Sequence, residues 1–425
     1  MIDDGTDLEK NVPHLGSAIH LATLCGPQDL YLHDDVTGIS HFKFRHQAHT
    51  PFEMRHVMLD PMQTPTYGST ARFDVPRGAA MLGELILHIT LPAPGPTGGA
   101  GQWVDTLGYA MLRRCRLCQG TTTLHESERL WWDISDKLNG ALSKRPGLDK
   151  MIGRGQTLGL VDEQALFVPL KVPSSAVQYG FGSRPNAMPL ISVPGEPLFV
   201  EFDLEDLDAL IKKTSPVPAA DVVKALGFTK PSLRLEVEVM YLETPEINHI
   251  LSSPRTNVFE AAQDVETLNY VESSDGTKMY VDRISLDFSE VGHPCKNIVV
   301  VAYPEDWGSS FFQYEKNVFK SIKLCDGDNE LVSQRDAAYF GLAQRSWQGS
   351  GKAGDDGISQ ISLCLAPQTL QTTGYINFAA ARRGPVLLCD LATQPEPKRP
   401  LIIKAFANVI KLYTYDKGVL ELMFL

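Results

Sequence analysis

Cys115 and Cys118 stand close together in Arg113-Arg114-Cys115-Arg116-Leu117-Cys118, a Cys-x-x-Cys spacing that could hold zinc or cycle as a redox pair. A structural zinc site needs a second pair or histidines at suitable spacing, and none lies nearby in the chain. The stretch reads as a strand, not as a turn leading into a helix, so core thiols are expected. His33-Asp34-Asp35 could present oxygen ligands to a cation, but no further ligands follow at calcium-loop spacing, and a solvated loop is expected. Gly153-Arg154-Gly155-Gln156-Thr157-Leu158-Gly159 lacks the Lys-Ser/Thr that completes a phosphate-binding loop. Glu126, Glu128, Asp133, Glu201, Asp203 and Glu205 are carboxylates for which an acid–nucleophile pair would need a specific separation in space. No Ser/His/Asp pattern of hydrolase type is visible. Trp131 and Trp132 fit core or interface anchors better than ligand platforms. No catalytic, cofactor-binding or metal-binding residue is assigned, and the expectation is a protein that is not an enzyme and carries no cofactor.

Composition points the same way. The 425 residues suit two domains of about 200 residues each. A net charge of −12, with no run of five or more Lys/Arg, argues against a surface made to grip nucleic acid. The seven cysteines are Cys25, Cys115, Cys118, Cys295, Cys325, Cys364 and Cys389; an odd number set mostly in apolar runs reads as reduced, buried thiols in an intracellular compartment. The polar start, Met1 to Lys10, does not read as a signal peptide. Apolar runs such as Leu85 to Leu91 are too short to span a bilayer, so any membrane contact would be peripheral.

The elements carrying these residues occur twice. Leu117-Cys118-Gln119-Gly120 and Leu324-Cys325-Asp326-Gly327 each end a strand-like run at a polar turn, 207 residues apart. Gly83 to Pro92 answers to Cys295 to Pro304 at an offset of 212 residues. Two matches in the same order imply a duplicated domain. Strands are predicted at His41–Arg45, Phe52–Leu59, Ala71–Pro76, Met81–Leu91, Gly108–Cys118, Ala165–Leu170, Leu198–Leu204 and Leu233–Leu242. In the second half they fall at Met279–Phe288, Asn297–Ala302, Val318–Cys325, Ile358–Leu365, Tyr375–Ala379, Leu401–Tyr413 and Val419–Leu425. Glu126–Leu142 has helical spacing, Ser143–Gly159 reads as a loop, as does Pro92–Gly101, and Thr244-Pro245 opens a short helical connector. The fold class is therefore all-β: two tandem eight-stranded antiparallel jelly rolls with short helices in loops. The expected division is an N-terminal arm at 1–30, a first jelly roll at 31–243 and a second at 244–425.

Fragments in order along the chain resemble the double jelly-roll major capsid proteins of large icosahedral DNA viruses, the iridovirus-like group above all. Thr50-Pro51-Phe52-Glu53-Met54 resembles the family's first strand, and Phe73-Asp74-Val75-Pro76-Arg77-Gly78 its following turn. Phe167-Val168-Pro169-Leu170 and Ala187-Met188-Pro189-Leu190-Ile191 resemble the family's "Tyr-Ile-Pro-Leu" and "Ala-Leu-Pro-Leu-Ile". Tyr241-Leu242-Glu243-Thr244-Pro245-Glu246 resembles the domain link, and Ser333-Gln334-Arg335-Asp336-Ala337-Ala338-Tyr339-Phe340 resembles "Ser-Glu-Arg-Asp-x-x-Tyr-Phe". Gly374-Tyr375-Ile376-Asn377-Phe378 resembles a further strand of the family.

The resemblance implies a structural subunit that forms homotrimeric, pseudo-hexameric capsomers and assembles into an icosahedral shell inside the infected cell. Implied partners are neighbouring capsomers, minor capsid and penton proteins, with room for peripheral contact with an inner membrane and none for direct nucleic-acid binding. Residues 1–30 and the loops 92–101 and 143–159 are the expected contact segments. Two alternatives stay open: a minor or paralogous capsid protein of the same fold, and a carbohydrate-binding or carbohydrate-active protein with two β-sandwich domains.

Overall fold

The computed structural model describes residues 48–91, 102–140, 144–159, 163–175, 186–193, 195–212, 230–252, 254–307, 311–348, 356–381, 383–394, 398–416 and 419–423. The contact pattern separates Met1–Thr50 from Pro51–Leu425, and every strand named below belongs to the second unit. The predicted arm at 1–30, Cys25, His33-Asp34-Asp35, the strand His41–Arg45 and the loop 92–101 lie outside the described residues.

Among the described residues nine strands precede the helix Thr244–Ser252: β1 Phe52–Leu59, β2 Thr70–Asp74, β3 Met81–Leu91, β4 Leu112–Gln119, β5 Thr122–Glu128, β6 Gln164–Pro169, β7 Met188–Pro189, β8 Leu198–Leu204 and β9 Ser232–Leu242. They form two antiparallel sheets, ordered β1-β9-β3-β6 (β7 adding to β3) and β2-β8-β4-β5. After that helix come β10 Arg255–Leu268, β11 Tyr270–Glu272, β12 Lys278–Tyr280, β13 Arg283–Asp287, β14 Pro294–Pro304 and β15 Phe319–Asp326. The last six are β16 Asn329–Asp336, β17 Ile358–Ser362, β18 Ile376–Asn377, β19 Pro385–Leu391, β20 Leu401–Asp416 and β21 Val419–Met423. Here the orders are β10-β20-β14-β17 (β18 on β14, β21 on β20) and β13-β19-β15-β16, with β11-β12 as a separate hairpin. Each strand of the first set has a counterpart in the second, which adds β11, β12 and β21. This is the double jelly roll.

The sequence repeats fall in equivalent parts of the two rolls, but in β3 and β14 the register differs by one residue from the sequence match: Leu82, not Gly83, takes the place of Cys295. Gly120 turns β4 into β5 at φ +55°, and Gly327 turns β15 into β16 at φ +59°. The residue after each keeps negative φ, so only the first central position needs glycine, as in a type II′ hairpin. β3 and β14 both carry a bulge, between Leu82 and Leu85 and between Cys295 and Asn297. Their burial differs. In β3, Leu85, Leu87, Ile89 and Leu91 are buried while Glu84, Ile86, His88 and Thr90 are half-exposed. In β14 every residue between Pro294 and Pro304 is buried. One sheet thus has a covered face and an open face, and its counterpart is covered on both.

Several boundaries differ from the sequence reading. The helix expected from Glu126 begins at Arg129, because Ser127 and Glu128 still pair with Cys115 and Arg114. The expected loop 143–159 holds a helix, Arg145–Ile152, opened by Pro146 in its first turn and closed by Gly153 at φ +74°. Met279–Phe288 breaks at Val281-Asp282 into two strands of different sheets. Ile358–Leu365 stops pairing at Ser362, and of Tyr375–Ala379 only Ile376-Asn377 pairs before a single 3-10 turn. β5, β7, β10, β11, β16 and β19 were not expected as strands. β10 (RTNVFEAAQDVETL) lacks clean alternation, since both its faces are partly covered.

Candidate assembly surfaces

The residues that could have done chemistry are occupied structurally. Cys115 and Cys118 are free thiols buried in β4, and burial raises both above the ordinary thiol range. Such thiols are poor nucleophiles and poor metal ligands. Among the described residues no cluster of three or more His, Cys, Asp or Glu could hold a metal ion. Arg154, inside the glycine-containing stretch, reaches back to Asp133 and Asp149, at 2.7 and 2.9 Å.

Each candidate carboxylate faces a cation. Glu126 meets Arg114 at 2.9 Å, and Glu201 and Asp203 meet Arg116 at 3.5 and 2.8 Å. Glu205 is bound by Arg113 and Arg129, each at 2.5 Å. Burial would raise its pKa, but the two guanidiniums outweigh that and hold it below the usual carboxylate range. Glu128 meets Lys404 at 2.8 Å, and Asp133 meets Lys137 and Arg154, each at 2.7 Å. These pairs neutralise one another and tie together the strands and helix that carry them.

Two of those pairs belong to a junction between the rolls. The helix Arg129–Asn139 follows β5 because its apolar residues Leu130, Trp131, Ile134 and Leu138 recur at helical spacing and are buried. Trp132 turns into the first roll, where its indole N–H donates to Ser127 Oγ at 3.0 Å. Trp131 faces the second roll, its ring 5.5 Å from that of Phe406 on β20. Beside it, Lys404 on β20 spans Glu128 and Asp264, both at 2.8 Å. Burial alone would depress this lysine, but the carboxylates prevail and its pKa is raised. Tyr314 Oη donates to Asp133 at 3.0 Å, Lys137 donates to the carbonyl of Phe312 at 3.0 Å, and Tyr413 Oη donates to the carbonyl of Leu124 at 2.8 Å. Phe312 sits at φ +62°, a costly conformation for a bulky residue that the Lys137 contact and the Tyr109 ring hold in place. Of the expected anchors, then, Trp131 bridges the rolls and Trp132 is core.

The counterparts of both junction surfaces are open. Counting from the pair that precedes each bulge, Glu236 on β9 occupies the place of Phe406, and Arg234 that of Lys404. The same outer face of the first roll carries Met54 and Met58 on edge strand β1, 40% and 37% exposed. There Glu236 bridges His56 and His88, at 3.2 and 2.6 Å. The counterpart of the bridging helix is the segment after β16: a π turn Tyr339–Ala343 and the helix Gln344–Gln348. On it Leu342 is 46% and Trp347 74% exposed. Exposed tryptophan is unusual enough to mark a contact surface. The spacing around Trp347 gave no sign of this; only the match to the Trp131 helix does.

Comparison with known proteins agrees with this architecture. Residues 40–243 match the family model of the major capsid protein N-terminus. The major capsid protein of Pyramimonas orientalis virus is 22% identical over 438 residues, covering 96% of this chain and 98% of that protein. Among solved structures, PBCV-1 VP54, fitted into a reconstruction of the virophage Sputnik, superposes with a TM-score of 0.71 at 16% identity, covering 91% of this chain and 100% of that one. The Faustovirus major capsid protein gives a TM-score of 0.66 at 11% identity, covering 96% and 98%. Over nearly its whole length the chain is thus similar to major capsid proteins, which are structural components of the virion capsid and not enzymes, and it shares their double jelly-roll fold.

Proposed function

We propose that three copies of this chain close into a ring of six jelly rolls, and that these capsomers tile an icosahedral shell. One observation carries the reading: the face that the first roll covers on the second, through Trp131 and Glu128, is open on the first roll. The element that would cover it is open on the second roll, at Trp347 and Leu342. Repeating the internal junction between chains places the Trp347 segment of one subunit over Met54, Met58 and Glu236 of the next. Such head-to-tail contacts close when the rotation divides the circle, and six similar rolls do so with three chains.

The division of the chain into an arm at 1–30, a first roll at 31–243 and a second at 244–425 is part of this proposal, with Thr244–Ser252 as the link. So are contacts with neighbouring capsomers and with minor capsid and penton proteins.

Native mass measured over a concentration series tests it. A stable complex of three 46.9 kDa chains is expected. A chain that stays monomeric at high concentration overturns the trimer.

A further inference from the structure

The bulge in β14 brings two neighbouring side chains, Lys296 and Asn297, into one buried polar cluster. Lys296 is wholly buried, and its ammonium donates to the carbonyl of Thr369 at 2.6 Å and to Glu260 Oε1 on β10. The other oxygen of that carboxylate accepts from Asn408 Nδ2 on β20, at 3.0 Å. Asn408 Nδ2 also donates to Asn297 Oδ1 at 3.0 Å, whereas the buried Asn408 Oδ1 has no hydrogen-bond partner. One carboxylate therefore touches an amine with one oxygen and the nitrogen of a carboxamide with the other.

We propose that Lys296 and Asn408 join in an intramolecular isopeptide bond, with Glu260 as the proton carrier. Glu260 takes a proton from the Lys296 ammonium, which frees the amine lone pair. The amine attacks Cγ of Asn408, and a C–N bond forms. Glu260 returns its proton to the departing amide nitrogen, which leaves as ammonia as the carbonyl reforms; Glu260 then takes the extra proton from the attacking nitrogen, leaving a secondary amide, and passes it to the ammonia as ammonium. The net change converts an ammonium and a primary carboxamide into a secondary amide and an ammonium ion. No oxidant, cofactor or metal takes part. Fixing both reactants on paired strands replaces a bimolecular encounter. Burial excludes the water that would compete for Cγ.

The reaction is confined to one roll. At the equivalent bulge of the first roll the matching residues are Gly83 and Glu238. There Glu238 accepts the backbone N–H of Glu84 at 3.1 Å and lies over Gly83, where an added Cβ would come within 2.2 Å of Glu238 Oε2. The bond would tie β14 to β20, the two central strands of the sheet that faces the first roll.

Intact mass of the purified full chain, followed by peptide mapping, tests the proposal. The expected result is a chain lighter than its sequence by one ammonia, with a branched peptide joining Lys296 to Asn408. Asn139-Gly140 can also lose ammonia by cyclising, so the branched peptide decides. Glu260→Gln should lose that peptide. Lys296→Met should give a chain of unchanged sequence mass apart from the substitution. Unlinked Lys296 and Asn408 peptides from the wild-type chain overturn the bond, whatever the variants do. A branched peptide undiminished in Glu260→Gln overturns the role of Glu260.

Discussion

Trp131 of the first jelly roll and Phe406 of the second lie with ring centroids 5.5 Å apart, inclined by 39°. This contact, flanked by the Lys404–Glu128 pair, joins the two rolls through side chains as well as through the chain itself. Both aromatic residues are buried, so the junction should behave as core. Trp131→Ala is expected to lower stability by about 3 kcal/mol, the usual cost of removing a buried large aromatic. Denaturant unfolding checks this.

Trp347 should behave in the opposite way. Its exposure means that Trp347→Glu leaves the unfolding midpoint of the monomer nearly unchanged, within about 0.5 kcal/mol. The same change should weaken trimer formation at least roughly tenfold, as expected for a charge placed in an apolar interface. Met58→Glu, on the face proposed to receive it, should do likewise. Analytical ultracentrifugation of both variants gives the readout, and a wild-type trimer affinity in either would remove that residue from the interface.

Asp133 is fully buried and neutralises Lys137 and Arg154 while accepting from Tyr314. Asp133→Asn keeps the shape and removes the charge, leaving two cations short of a partner. The expected loss is about 3 kcal/mol. Asp133→Asn combined with Arg154→Met should recover part of it, and thermal unfolding of the single and double variants compares them.

His125 gives the junction an acid sensitivity. Its Nε2–H donates to the carbonyl of Lys171 at 3.1 Å and its ring packs edge-on against Phe259 of the second roll, 5.9 Å away. Burial lowers its pKa from 6.5 to about 4. The folded form therefore holds the neutral ring where the unfolded chain would take a proton. The contribution is complete above the unfolded pKa and is lost as pH falls from 6.5 toward about 4, roughly 3 kcal/mol in all. Unfolding measured between pH 7 and pH 4 should show this slope, and His125→Gln should flatten it.

Much of the fold was legible along the chain because its signals are local. Gly120 and Gly327 mark hairpins through a backbone requirement that acts within four residues. The alternation of β9 survives because one face of the strand meets the core while the other is open from Ser232 to Glu236, before Glu238 and Met240 are covered. The duplication showed where the two copies face similar surroundings, at Leu117-Cys118 and Leu324-Cys325. It faded in β10, whose equivalent β1 is open where β10 is covered. Arg145–Ile152 read as a loop because it is polar over most of its surface and buries only Ile152.

The candidate surfaces were legible only in part. Trp131 could be named as an anchor from its type, and the six described cysteines could be placed in the core from the apolar runs around them. Fold class and duplication were carried by residue order, since turn chemistry and strand period depend on near neighbours. Which tryptophan joins the rolls, which carboxylate meets which cation, and which sheet face stays open were decided by tertiary structure. Those outcomes join residues such as Glu128 and Lys404, far apart in the chain, and nothing in the local period of either strand encodes which partner will arrive.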